Sequence, residues 1–396
     1  MRGIFDALRD KLHLLNDKME RAEPREKARP GPIDLDVGTE IVELKAEAAQ
    51  LQSKIDKFKA LYSPPLWNIP EWEASVPLSP PAYWAGLNGP VSGREADEKI
   101  NSALDILEGG AEAEADKIKS ISPEELHARI LVDTAPLPVA KDRETYLWDY
   151  HLAYWLMGLG DLMLIKEIAD DAGVPLQSGA RFFDFGCASG RVLRQFIFQA
   201  DEIDAYGCDI GQNNIRWIRK YLPPKASAFQ NTVLPSLPIP DDFMDFIYAG
   251  SVFTHIGDFE EAWLLELRRI LRPNGVAFVT VHTDRTWAQL ANPKHFLTRY
   301  LVDYPHRCEE RPDIDITDNL FQSPMPEERI TLANTTMAIG NLNMFHSEAY
   351  IRQHWGKLFH IDKVLNKMHG SHQDGIILRK LESQLPLPEG RGLRLR

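Results

Sequence analysis

Cysteine is nearly missing from this sequence: 396 residues hold three, Cys187, Cys208 and Cys308. Three cannot build a disulfide framework, and the composition fits a reducing compartment. Positive charge is the minority sign, with 45 Lys and Arg against 58 Asp and Glu and a formal net charge of −13. That field repels polyanions, which disfavours nucleic acid as a partner. No run of about 18 apolar residues is present, so no transmembrane segment is expected. The start, MRGIFDALRDKLHLL, lacks the apolar stretch and small-residue cleavage site of a secretory signal, and a cytoplasmic protein is expected. Internal repeats are absent too. The hydrophobic fraction, 44%, is nonetheless enough to fill a globular core.

Three regions are expected. Residues 1–62 read as N-terminal helices. Ile4, Leu8, Leu12 and Leu15 mark one helical face, and Ile41, Leu44, Ala48, Leu51, Ile55, Phe58 and Tyr62 step by three and four. That second run is a heptad pattern of about three repeats. It fits either a helix packed on its own domain or a coiled coil making a homodimer through residues 41–62. Residues 63–121 form a linker region. Seven prolines between 63 and 90 forbid regular helix, Trp67, Trp72, Tyr83 and Trp84 lie among them, and 94–120 reads as a charged, exposed helix. Residues 122–396 read as one domain. SPEEL starts its helical lead-in (122–175), with Ser122 as cap and Pro123 in the first turn. From Arg181 strands alternate with helices: RFFDF (181–185), DAYGC (204–208), SAF (227–229), MDFIYA (244–249), GVAFVTV (275–281) and DGIILRK (374–380). Alternation of this kind implies an α/β fold, a parallel sheet with helices on both faces. The rhythm stops between 283 and 346, a cap-like insertion in which RITLANTTMAIG is a candidate hairpin.

The chemistry is concentrated in FFDFGCASGRVLR (182–194). Asp184 sits near the end of a strand, and Gly186, Cys187, Ala188, Ser189 and Gly190 turn the chain into a helix. Open parallel sheets bind ligands at such carboxyl ends. The spacing is a poor dinucleotide loop, because Ala188 and Arg191 stand where G-x-G-x-x-G needs glycine. No G-K-[ST] follows, so it is not a P-loop. A carboxylate beside the turn would repel pyrophosphate and suits a cationic group. Asp209, ending the next strand, can hold both hydroxyls of a ribose. S-adenosylmethionine has a sulfonium, an ammonium and a ribose, and no phosphate.

The sequence resembles class I S-adenosylmethionine-dependent methyltransferases of the bacterial glycan and small-molecule type over roughly 175–380. FFDFGCASGRVL is similar to the family's first motif, YGCDIGQNNIRWIRKYL to its acidic second motif, and DDFMDFIYAGSVFTHI with EEAWLLELRRILRPNGVAFVTV to the fourth strand, helix and fifth strand. The departure is Ala188 where glycine is common. The resemblance implies a Rossmann-like seven-stranded sheet, with a sixth strand near 359–364, and S-adenosyl-L-methionine as cofactor. It implies that Gly186, Cys187, Ser189 and Gly190 line the methionine part and that Asp184 orients its amino group. Asp209 would hold the ribose, Ile210 would flank the adenine, and Asn231 and Thr232 would meet the adenine edge. Gly250 and Ser251 would approach the methyl end.

A hydroxyl acceptor profits from a general base. The candidates are His255 beyond the fourth strand, and His282 and Asp284 beyond the fifth; each histidine could equally be a hydrogen-bonded core or loop residue. The expected function is O-methylation of a sugar or other small polar acceptor. Trp287, Phe296, Tyr300 and Tyr304 offer stacking surface, and Tyr146 and Tyr150 could close over the site. The alternatives are a protein or nucleic-acid methyltransferase, though the N/D-P-P-Y/F pattern of amino-nitrogen enzymes is absent, and a non-catalytic scaffold dimerising through the heptads. A nicotinamide-dependent oxidoreductase is more distant. His369, His372 and Asp374 cluster in sequence without any metal-binding spacing, so no metal is expected.

Overall fold

The computed structural model describes residues 94–143, 146–200, 202–336 and 342–381, together with 45–46. The chain divides into two units, Met1–Trp72 and Glu73–Arg396. In the first, residues 45–46 are described and are helical; the rest of the heptad run, like the proline- and tryptophan-rich segment, lies outside the described residues. All that follows concerns the second unit.

Its chain begins with α1 (Arg94–Glu108), α2 (Glu112–Lys119) and α3 (Pro123–Val132). The Ser122 hydroxyl accepts from the Glu125 amide, the cap foreseen from SPEEL. The 94–120 stretch departs from expectation. It is two helices, not one exposed helix, and Ile100, Leu104, Leu107, Ala115 and Ile118 are buried. They pack on α4 (His151–Asp171). This helix is apolar all round, so neighbours enclose most of its residues. Two glycines set the closeness. A Cβ at Gly158 would stand 2.6 Å from the Arg191 carbonyl oxygen, and one at Gly160 would stand 2.6 Å from that of Glu114.

The sheet follows: β1 (Arg181–Phe185), α5 (Leu193–Gln199), β2 (Asp204–Asp209), α6 (Gln212–Tyr221), β3 (Ser227–Gln230), β4 (Met244–Ala249), α7 (Glu260–Ile270) and β5 (Leu271–Thr283). The insertion supplies α8 (Asp284–Gln289), α9 (Phe296–Asp303), β6 (His306–Cys308), β7 (Arg329–Asn334) and β8 (Leu342–His346). The chain then returns through α10 (Glu348–His354), β9 (His360–His369) and β10 (Gln373–Arg379). The central order is β3-β2-β1-β4-β5-β10-β9, parallel from β3 to β5 and antiparallel at β10 and β9. This is the expected Rossmann-like seven-stranded sheet. The strand order reverses between β1 and β4, so the carboxyl ends of those strands open a crevice.

The insertion joins this sheet. β8 runs parallel to the tip of β5, pairing His282 with Phe345 and Thr283 with His346. β7 and β6 add to it in antiparallel order; RITLANTTMAIG, read as a hairpin, holds β7 alone, and its antiparallel partner β8 lies beyond that stretch. The insertion has its own small core, centred on Trp287, Leu301, Phe321, Leu332 and Phe345.

Alternation places β1 side chains on two faces. Phe183 and Phe185 join Trp263, Leu264 and Leu267 of α7. Phe182 stacks on Phe196 of α5 with ring centroids 3.8 Å apart. Each such ring contributes about 1.5–3 kcal/mol through burial. A buried ion pair ties the lead-in to α5: Arg194 reaches both oxygens of Asp133 at 2.8 Å, and Trp155 Nε1 donates to the same carboxylate at 2.8 Å. Arg194 also reaches the Ala135 and Pro136 carbonyls. Removing one partner strands the other charge. Asp133→Ala is therefore expected to lower unfolding stability by about 3–5 kcal/mol in urea titration; a loss under about 1 kcal/mol would contradict this assignment.

Candidate functional site

β1 and β2 are parallel, with Asp184 opposite Gly207 and Phe185 opposite Cys208. Their ends place two carboxylates, Asp184 and Asp209, in one small volume. The turn between β1 and α5 is shaped by left-handed residues: Gly186 (φ +82), Ala188 (φ +45) and Gly190 (φ +87). Gly186 is required twice over, because φ is positive and a Cβ would meet Val252 Cγ2 at 2.4 Å. Ala188 occupies the same region at a conformational cost, and its amide donates to Asp209 Oδ2 at 2.9 Å. The Gly211 amide and Asn214 Nδ2 donate to Oδ1 at 2.6 and 3.1 Å. Asp209 is thus held as an oriented, partly exposed carboxylate, and a carboxylate accepts up to about four hydrogen bonds. Ile210 beside it is 50% exposed, an apolar side chain available to a flat ring.

Asp184 is buried. Burial pushes its carboxyl up to about 7; Arg191 acts against this, while the Asp161 and Asp209 charges add to it. Arg191 itself pairs with Asp161 of α4. Cys187 and Cys208 are buried free thiols, and burial raises both well above the usual thiol range, so they are packing residues. Ser189 is buried, with its hydroxyl 3.5 Å from the Tyr154 hydroxyl. Asn231 hangs from the Asp209 carbonyl by its amide, and its Oδ1 is buried with no hydrogen-bond partner among the described residues. The exposed Thr232 caps the Leu234 amide. Gly250 lies over Tyr248, whose hydroxyl would be 2.3 Å from a Cβ there. Ser251 (φ +58) is fully engaged: its amide donates to Thr280 Oγ1 at 2.7 Å, and its hydroxyl accepts from Gln373 Nε2 at 2.9 Å. It fixes the turn after β4.

Arg143 was not foreseen. It sits in a 3₁₀ turn (Ala140–Arg143) that packs on α6. It is 2% exposed, its guanidinium lies 4.5 Å from the Tyr154 ring centre, and its Nε and Nη1 have no hydrogen-bond partner among the described residues. Its Nη2 meets the Trp148 carbonyl and His151 Nδ1. A buried cation with two idle donors is a place for an anionic group, and Tyr154 links it to Ser189 of the glycine turn. Its sequence context, PVAKDRETY, carries no such signal. Tyr146 stands under Arg191 at 5.3 Å, and Tyr146 and Tyr150 are 41% and 54% exposed.

At the ends of β4 and β5 the insertion orients two imidazoles. His255 Nδ1 lies 2.7 Å from the Leu342 carbonyl and donates to it, which leaves Nε2 as the basic nitrogen. His282 meets the Met344 carbonyl and is buried, with Nδ1 lacking a hydrogen-bond partner among the described residues. Burial holds His282 well below the usual histidine range, and the neighbouring His372 and His255 add to that. Burial, with the His369 and His295 charges and against the Gly370 carbonyl, pushes His372 down to about 4. Asp284 is exposed in the first turn of α8, and no hydrogen bond joins it to either histidine among the described residues. Trp287 belongs to the insertion's core, whereas Phe296 is 59% exposed and meets His372 edge-on. Tyr300 packs on Tyr304 and His306. The His369, His372 and Asp374 group separates: Asp374 binds Thr283, Arg285 and the Lys367 amide, and His369 turns to Glu114 and Asp161.

Residues 183–279 match the family described as a methyltransferase domain. That span runs from β1 through β5 and includes both strand-end carboxylates. No curated protein matches the chain. Solved structures share the fold at low identity. A SAM-dependent methyltransferase from Methanosarcina mazei is 17% identical, with 54% of this chain and 97% of that one covered and a TM-score of 0.37. A 1,6-didemethyltoxoflavin-N1-methyltransferase from Burkholderia thailandensis, with S-adenosylhomocysteine bound, is 12% identical, covering 74% and 93% with a TM-score of 0.36. The chain carries a methyltransferase domain. Among the described residues no helix is long and apolar enough to cross a membrane.

The raised Asp184 carboxyl has a signed consequence. Between about pH 4 and 7 the folded chain keeps this proton while the unfolded chain has lost it, so ionising Asp184 costs stability as pH rises. Asp184→Asn, which mimics the protonated form, should gain stability relative to wild type as pH climbs through that window. Thermal melts at several pH values check this; a constant difference would contradict it.

Proposed function

We propose that the protein methylates a hydroxyl of a sugar or another small polar acceptor, using S-adenosylmethionine and a histidine base. The observation that carries this reading is the pair of imidazoles, His255 and His282, at the strand ends. Each is met by a carbonyl of β8, and His282 is held neutral. A neutral imidazole with a defined basic nitrogen suits removal of a hydroxyl proton.

The residues present fit the cofactor. Asp209 would accept from the ribose hydroxyls, Ile210 would lie against the adenine, and Asn231 Oδ1 would accept from its amine. The main chain of Gly186–Gly190 would pass close to the methionine part. Asp184 faces the ammonium in this reading, and Arg143 gives the carboxylate a partner. When bound, S-adenosylmethionine supplies an electrophilic methyl group on a sulfonium. The protein's task is to align the acceptor oxygen, exclude water and take the proton. His255 is the base we favour, because it follows β4 directly and is exposed to an incoming acceptor. His282 and Phe296 would line the acceptor's other side.

Calorimetric titration with S-adenosylhomocysteine, with NADH as control, tests the cofactor assignment. Micromolar binding of the first alone is expected, weakened about 10- to 100-fold by Asp209→Ala. Binding of neither would favour the scaffold reading. In a screen of hydroxylated acceptors, His255→Ala is expected to slow turnover about 100-fold or more while leaving that affinity unchanged. Wild-type turnover would remove His255 as base.

A further inference from the structure

Beneath the turn after β4, four elements bring polar groups to one buried point: Glu114 from α2, Asp161 from α4, Tyr248 from β4 and His369 from the end of β9. All four are enclosed, with exposures of 0–3%. Gly160 makes the meeting possible, since only its missing side chain admits the Glu114 backbone against α4.

The geometry is that of ligands around an ion. His369 Nδ1 lies 3.3 Å from Glu114 Oε1 and 3.8 Å from Asp161 Oδ1. The Tyr248 hydroxyl lies 3.4 Å from Asp161 Oδ1 and 3.5 Å from His369 Nδ1. Such separations are long for charged hydrogen bonds, which favour about 2.7–2.9 Å. Ligand atoms bonded to a tetrahedral ion at about 2.0–2.2 Å stand about 3.4 Å from one another. Neither Glu114 oxygen has a hydrogen-bond partner among the described residues, although the side chain is fully buried. An enclosed carboxylate in that state needs a cation. Asp161 divides its duties: Oδ2 takes Arg191, and Oδ1 faces the cluster.

Without an ion, and against burial, the Asp161 and Glu114 carboxylates hold a proton on His369, raising it to about 9; an ion would take that proton's place. One nitrogen and two oxygen donors disfavour magnesium and calcium, whose ligands are oxygens, and suit zinc.

We propose that Glu114, Asp161 and His369 form a binding site for one divalent transition-metal ion of the zinc class, with Tyr248 facing the fourth position. The ion is structural. It fastens the helical lead-in to the sheet under the turn after β4. It does not depend on the methyl-transfer reading.

The full chain, stripped with a chelator, loaded with zinc and dialysed, should retain about one zinc per chain by elemental mass spectrometry. The loaded form should melt higher than the stripped form. Glu114→Gln keeps the side-chain volume and is expected to weaken zinc binding at least about tenfold with unchanged circular dichroism. Cobalt in place of zinc should give a tetrahedral visible spectrum without a thiolate charge-transfer band, which separates this site from Cys187, Cys208 and Cys308. That spectrum decides the matter even if the variant fails to fold. Zinc far below one per chain, equal retention by Glu114→Gln, or a thiolate band would each overturn the proposal and leave a cluster balanced by protons alone.

Discussion

Two parallel strands that end near one level bring side chains of one face together beside their carboxyl ends. In this protein those side chains are Asp184 and Asp209, and much of the surrounding structure keeps two acids tolerable there. The glycine turn points the Ala188 amide at Asp209, and the start of α6 adds the Gly211 amide and Asn214. Asp184 is left in a drier setting, with Arg191 as its nearest counter-charge. Arg191 in turn is fixed by Asp161, on a helix that approaches closely only because Gly158 lacks a side chain. The two acids therefore have opposite characters. One is partly exposed and oriented by three donors; the other is buried, and burial raises it to about 7.

The sheet was legible because its signals are local. RFFDF and MDFIYA became β1 and β4 with the same boundaries, and Asp209 fell at a strand end. Each stretch is apolar, bounded by turn residues, and needs no distant partner to be recognised. The helical lead-in was less legible. EAEADKIK in α2 reads as a solvated face, yet Glu114 is fully buried. Its enclosure is imposed by α4 and by the β9–β10 turn, both distant in sequence. One trace was available: Asp161 and two glycines interrupt an otherwise apolar helix, LAYWLMGLGDLMLI. A lone acid in such a run must meet a partner, although the run does not name it. Arg143 left no trace, because a buried arginine in a short turn looks like a surface one.

The histidines teach the same lesson from the other side. Their position after β4 and β5 followed from the strand pattern. Their tautomers did not, because these are set by carbonyls of β8, a strand from within the insertion. His372 approaches His282 only once the chain has returned through β9 and β10. Chemistry that depends on which nitrogen carries a proton is thus written in contacts between the first and last thirds of the domain.

The joining of β8 to β5 has a mechanical meaning. A cap attached by loops can swing aside as a door does. This cap is stitched to the tip of β5 by backbone pairing and extends the same sheet outward through β7 and β6. To swing, it would have to unzip that seam and strand its amides and carbonyls. The insertion is therefore masonry: it is fixed to the tip of β5 as part of the sheet, not hung beside it.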